Sequence, residues 1–126
     1  MGQVDELGAA GDRARLTVSA RSTEDGAQIV CAAGELDLEG GAVLEPVLDR
    51  ALSADPAPRL VAVDATGVTF CDSSGLNLLL RIRQEAEERS VPLHLAGLTD
   101  PVLRVLEITG ADSLFSIHAQ LDQALA

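Results

Sequence analysis

Short runs of apolar, often β-branched residues alternate with segments of helical periodicity along this chain, and that alternation fixes the fold class. Leu16-Thr17-Val18-Ser19-Ala20 alternates apolar and polar side chains, the mark of a half-buried strand. The turn signal Glu24-Asp25-Gly26 follows, then the apolar run 27–33, which reads as a hairpin partner. A helix is expected over 42–52. Pro46 is tolerated only in a first turn, so that helix should begin near Val43 or later. A buried strand follows at 60–63, with residues 65–72 as a connecting segment and the strongest helix at 74–89. A strand at 91–98 leads to a helix from an Asp100 N-cap to Thr109, closed by Gly110. A last strand at 114–117 and a helix at 118–126 complete the order β-β-α-β-α-β-α-β-α. Strands joined through helices imply a small, mixed, mostly parallel sheet with an antiparallel first hairpin, packed by about four helices. Residues 1–12 read as a flexible tail and 13–126 as one domain.

Composition removes whole classes of function. The 126 residues carry 9 basic and 20 acidic side chains, a formal charge of −11, so the surface repels phosphate backbones and anionic membranes. Aromatic content is 2%, with Phe70 and Phe115 alone, which leaves no stacking platform for single strands. Every cation is an arginine; without lysine there is neither Schiff-base chemistry nor a phosphate-binding P-loop lysine. Cys31 and Cys71 lie in apolar stretches and read as small buried hydrophobes. With His94 and His118 they make no metal-ligand spacing, so neither a metal nor a cofactor is expected. The start, MGQVDELGAAGDR, has no apolar core, and no run reaches membrane-spanning length; a cytoplasmic protein is expected.

The stretch from Val61 to Arg89 carries the chemistry. A buried strand leads through a tight loop into Asp72-Ser73-Ser74-Gly75 at the head of a helix. Asp72, Ser73 and Ser74 are all good N-cap residues, so a structural cap alone accounts for them. The G-x-S-x-G elbow is absent and neither histidine lies in an orienting motif, which disfavours a hydrolase; no catalytic residue is expected and the chain does not read as an enzyme. A serine hydroxyl at a helix N-terminus is, however, a good phosphorylation site, because the helix dipole accommodates the added negative charge. Leu76, Leu78, Leu79, Leu80, Ile82 and Ala86 span an arc of roughly 200°, wider than the minimum a core-facing stripe needs. Either part of that edge meets a partner, or the helix is more deeply buried.

Gly34-Glu35-Leu36-Asp37, Asp72-Ser73-Ser74-Gly75-Leu76 and the segment 103–110 (LRVLEITG) together resemble the landmarks of STAS-domain anti-anti-sigma factors. The resemblance runs from about Leu16 to Ala126. It implies a partner switch. The unphosphorylated protein binds an anti-sigma factor that is also a GHKL-type serine kinase, and so releases the sigma factor. Phosphorylation of the serine after the aspartate, here Ser73 with Ser74 as the lesser candidate, dissociates the complex, and a serine phosphatase reverses it. The partner surface implied comprises Asp37, Asp72, Ser73, Ser74, Gly75, Leu76 and Leu78, with Asp37 expected in an exposed loop at the sheet end. The alternative within the same fold is a STAS subunit of another assembly, a stress-sensing complex or a lipid transporter.

Overall fold

The computed structural model describes residues 16–126. The tail expected at 1–12, and the domain boundary placed after it, lie outside the described residues. Strands β1 (Leu16–Ser22), β2 (Ala27–Leu36), β3 (Leu60–Cys71), β4 (Leu93–Ala96) and β5 (Ser116–His118) form one sheet in the order β1-β2-β3-β4-β5. β1 and β2 are antiparallel and every other neighbouring pair is parallel, as the alternation implied. Helices α1 (Leu38–Leu52), α2 (Ser73–Glu88) and α3 (Asp100–Thr109) are the crossovers, and a short α4 (Leu121–Leu125) ends the chain.

The crossovers step one strand at a time in a single direction, which puts their helices on one face of the sheet. Leu44 and Leu48 of α1, Leu78 and Ile82 of α2, and Val102 and Leu106 of α3 pack there on Val30, Val61, Val63 and Leu95. The opposite face is thinner. There α4 brings Ala124, with Leu121 and Leu125, against Ala27, Leu60, Ala62 and Ala96. The small alanines let this short helix lie close. β3 is therefore buried on both sides at Leu60-Val61-Ala62-Val63, which is why that run is uniformly apolar.

Several elements differ from expectation. β3 continues to Cys71, where a connecting segment was expected. Its register with β2 shifts between Cys31 and Ala33 and again between Gly34 and Glu35. Buried positions then fall at Ala65, Val68 and Cys71, every third residue, and the period-two signal of a strand is lost. Helix α1 begins at Leu38, five residues before Val43, with Pro46 in its interior. Ala42 and Pro46 are both exposed, so the carbonyl that loses its N–H partner faces water. Helix α2 begins at Ser73, one residue early, because Asp72 is its cap. Thr99, not Asp100, holds the N-cap position of α3, and its hydroxyl donates to the Val68 carbonyl at 2.6 Å. Gly110 closes α3 with φ of 78°, as read from the sequence. The expected 114–117 strand is divided between a 3₁₀ turn (Ala111–Leu114) and β5.

Candidate functional site

β2 and β3 finish side by side, Leu36 opposite Cys71, and the Asp72 N–H donates to the Leu36 carbonyl at 3.3 Å. Each strand then turns directly into a helix through an aspartate. Asp37 caps α1, its carboxylate accepting from the Gly40 N–H at 2.8 Å. Asp72 caps α2, its Oδ1 accepting from the N–H groups of Ser74 at 3.0 Å and Gly75 at 3.1 Å. The two turns repeat one pattern, Asp-x-x-Gly, at 37–40 and 72–75. Both glycines are required by close approach. A methyl on Gly40 would overlap the Glu35 carbonyl oxygen. One on Gly75 would overlap the Leu36 carbonyl and come within 2.8 Å of Leu36 Cγ and 3.0 Å of Cys71 Sγ. Both helices thus start at the carboxyl edge of the sheet with their first turns pressed on β2, at the kind of edge where open α/β sheets bind ligands.

The residues expected to form the site separate by depth. Ser73 is exposed, while Asp37, Asp72 and Ser74 are half-buried. Asp37 is not in a free loop but serves as a cap, a correction that follows from the early start of α1. Gly75, Leu76 and Leu78 are buried, the leucines at 8% and 2% exposure, so the wide apolar arc of α2 reflects deep packing. These three support the surface from beneath.

Exposed apolar groups come from residues that the sequence reading passed over. Leu38 is 74% exposed and Phe70 45%. Leu38 lines a groove between α1 and α2 with Asp37, Glu45, Ser74, Asn77 and Arg81. Phe70 and Cys71 line a second groove, with Asp100, Pro101, Arg104 and Val105 of α3. Ser73 lies in sequence between Cys71, on one groove, and Ser74, on the other. The available signal for Leu38 was an apolar residue in the first position of a capped helix, where its side chain does not reach the core. For Phe70 there was none, because the register shifts hide the continuation of β3 to Cys71.

The site has little chemistry of its own. Burial, and then the Asp72 charge, push the Cys71 thiol up to about 11, so it stays protonated and unreactive at neutral pH. Cys31 is only half-buried, its Sγ 3.9 Å from Asp64 Oδ2, which corrects the expectation of a buried side chain. Among the described residues no three His, Cys, Asp or Glu side chains gather in a metal-binding group, and no helix is long and apolar enough to cross a membrane.

A family model described as "Mlab, STAS domain" matches residues 7–121. The chain belongs to the STAS-domain family. This STAS domain is 24% identical over 102 residues to the anti-sigma-F factor antagonist RsfA of Mycobacterium tuberculosis, covering 81% of this chain and 80% of that one. It is 29% identical over 97 residues to the anti-sigma-B factor antagonist of Staphylococcus aureus, covering 77% and 88%. In three dimensions it resembles the crystal structure of an anti-sigma factor antagonist from Mycobacterium paratuberculosis, with a TM-score of 0.76, 23% identity and coverage of 87% and 91%. The strand order, the first hairpin and the helices of this domain agree with that fold.

Proposed function

We propose that this STAS domain is an anti-sigma factor antagonist that acts by partner switching. Unmodified, it binds an anti-sigma factor that is a GHKL-type serine kinase and thereby frees the sigma factor. The kinase phosphorylates Ser73, the complex dissociates, and a serine phosphatase restores the binding form. The domain is a substrate and a ligand in this cycle, not an enzyme. The observation that carries the reading is the division of labour at the head of α2. Asp72 makes the cap, which leaves the exposed Ser73 hydroxyl with no structural duty. Antagonist relatives over most of the chain support it.

The partner covers Ser73, Leu38 and Phe70, with Asp37, Asp72 and Ser74 beside them. A phosphate on Ser73 adds about −1.5 to −2 charge. The Ser74 and Gly75 N–H groups already bond the Asp72 carboxylate, so the phosphate is left on the surface beside a like charge. The fold remains, and the interface takes the repulsion. Phosphopeptide mapping of the protein isolated from its native cells tests the site, together with affinity capture by wild type and Ser73→Glu. Phosphate on Ser73, and a GHKL kinase retained by wild type alone, are expected. Phosphate confined to Ser74, or equal capture by both baits, contradicts the proposal.

A further inference from the structure

The thin face of the sheet holds a histidine pair that the proposed switch does not use. His94 on β4 and His118 on β5 meet across the strands, His118 Nε2 lying 3.0 Å from His94 Nδ1. The rings are 5° from parallel with centroids 4.9 Å apart. One nitrogen of this contact donates, so the other must be bare. A pair of imidazolium ions would set two N–H groups head to head. We propose that His94 and His118 form a proton-operated clasp: with one imidazole bare they hold β5 and α4 on the sheet, and with both protonated they part and loosen that C-terminal layer.

The surroundings make the clasp sensitive. β5 has three residues and α4 five, and beside the histidine contact they are held by the packing of Ile117, Leu121, Ala124 and Leu125. The backbone ties are the short parallel β4–β5 ladder, His94–Ala96 against Ser116–His118, and the Gly97 N–H to the His118 carbonyl, 3.0 Å. The second tie is Arg59, which donates to the Leu125 carbonyl at 3.0 Å and to Asp25 at 2.9 Å. Arg59 is a cation, so each proton gained by the pair also repels the other anchor of α4. The acids nearby are engaged. Asp25 is held by Arg59 and Thr23, Asp64 on β3 by the Thr66 N–H and hydroxyl, and Asp122, the titratable side chain of α4, by the Gln123 N–H. The inward residues of α4 are apolar, Leu121, Ala124 and Leu125. Burial first, then His118 and Arg59, hold His94 below its ordinary value of 6.5. The unfolded or released segment therefore takes up protons before the packed one. Stability of this layer is greatest above about pH 6.5 and falls as acid is added.

The wild-type chain suffices for the test. Imidazole ¹⁵N resonances are followed from pH 8 to 5, with amide exchange of residues 116–125 corrected for its intrinsic pH dependence. The clasp predicts two coupled steps, the second at least tenfold weaker in proton affinity than the first. It also predicts about tenfold more frequent opening at 116–125 at pH 5 than at pH 7.5, with β2 and β3 unchanged. In His118→Gln, His94 should titrate at higher pH, and the pH dependence of the local opening should shrink to the part that burial and Arg59 leave on His94. Independent titration of both rings near the ordinary histidine value, or opening at 116–125 that ignores pH, overturns the proposal.

Discussion

Asp72 and Ser73 are adjacent and do different work. Asp72 bonds two of the first N–H groups of α2, so Asp72→Ala should cost about 1 kcal/mol of folding stability, whereas Asp72→Asn keeps an equivalent acceptor and should cost far less. Ser73→Ala removes no cap and should fall within about 0.5 kcal/mol of wild type. Urea denaturation of the three variants checks the division; a Ser73→Ala loss as large as that of Asp72→Ala would return the capping role to the serine. Gly75→Ala is harsher. Its methyl meets the Leu36 backbone and Cys71 Sγ, neither of which yields easily, and a loss of about 2 kcal/mol or more is expected by the same measurement. Asp37→Asn discriminates the two uses of Asp37. It retains an N-cap, so the melting temperature should hold, while any contact of its charge with a partner is lost. At this scale the sequence carried a good deal. Asp72-Ser73-Ser74-Gly75 announces a helix start, but three consecutive residues qualify as cap. Only backbone geometry assigns it to the first.

The helices α1 and α2 run together, and acids line their groove: Glu45, Asp49, Glu85 and Glu88, with Arg81 and Arg89. Arg81 bonds Glu45 at 3.0 Å and Arg89 bonds Glu85 at 3.1 Å. Asp49 is left against Glu85. Burial first, then that hydrogen-bonded carboxylate and Glu45, hold its carboxyl above the usual range, Arg89 opposing. A group whose folded pKa is raised binds its proton more tightly in the folded state, so its contribution is lost as pH rises. Asp49→Asn should therefore raise the melting temperature at pH 7 by about 1–2 °C, the scale of an exposed charge pair, and the gain should vanish toward pH 4. A gain that persists at pH 4 contradicts the carboxylate explanation. The elements themselves were legible in kind and order but not in extent. Pro46 argued against an α1 that starts at Leu38, because a sequence does not reveal that the carbonyl it orphans is wet. The β2–β3 register shifts hid the second half of β3, because they replace alternation with a three-residue spacing that resembles neither strand nor loop.

The described residues form a one-sided sandwich whose proposed switch edge and thin face differ in role. Among the described residues the crossover helices cover one face, their first turns lie at the edge proposed for docking, and α4 alone patches the other. Fold class and strand direction followed from the alternation of strands with helices. The unequal covering did not, since α4 is five residues long and its single alanine, Ala124, carries no periodic signal. The proposed docking edge is acidic on a chain of formal charge −11, so a partner with a basic face should associate more slowly as salt is added. One titration bears most directly on the proposed switch: calorimetric binding of unmodified protein, phosphorylated protein and Ser73→Ala to the GHKL kinase proposed as its partner. The unmodified and Ser73→Ala forms should bind alike. The phosphorylated form should bind at least tenfold more weakly, about 1.4 kcal/mol, with an unchanged circular dichroism spectrum. Equal affinity of all three forms, or weak binding accompanied by an unfolded spectrum, would contradict an electrostatic switch at Ser73.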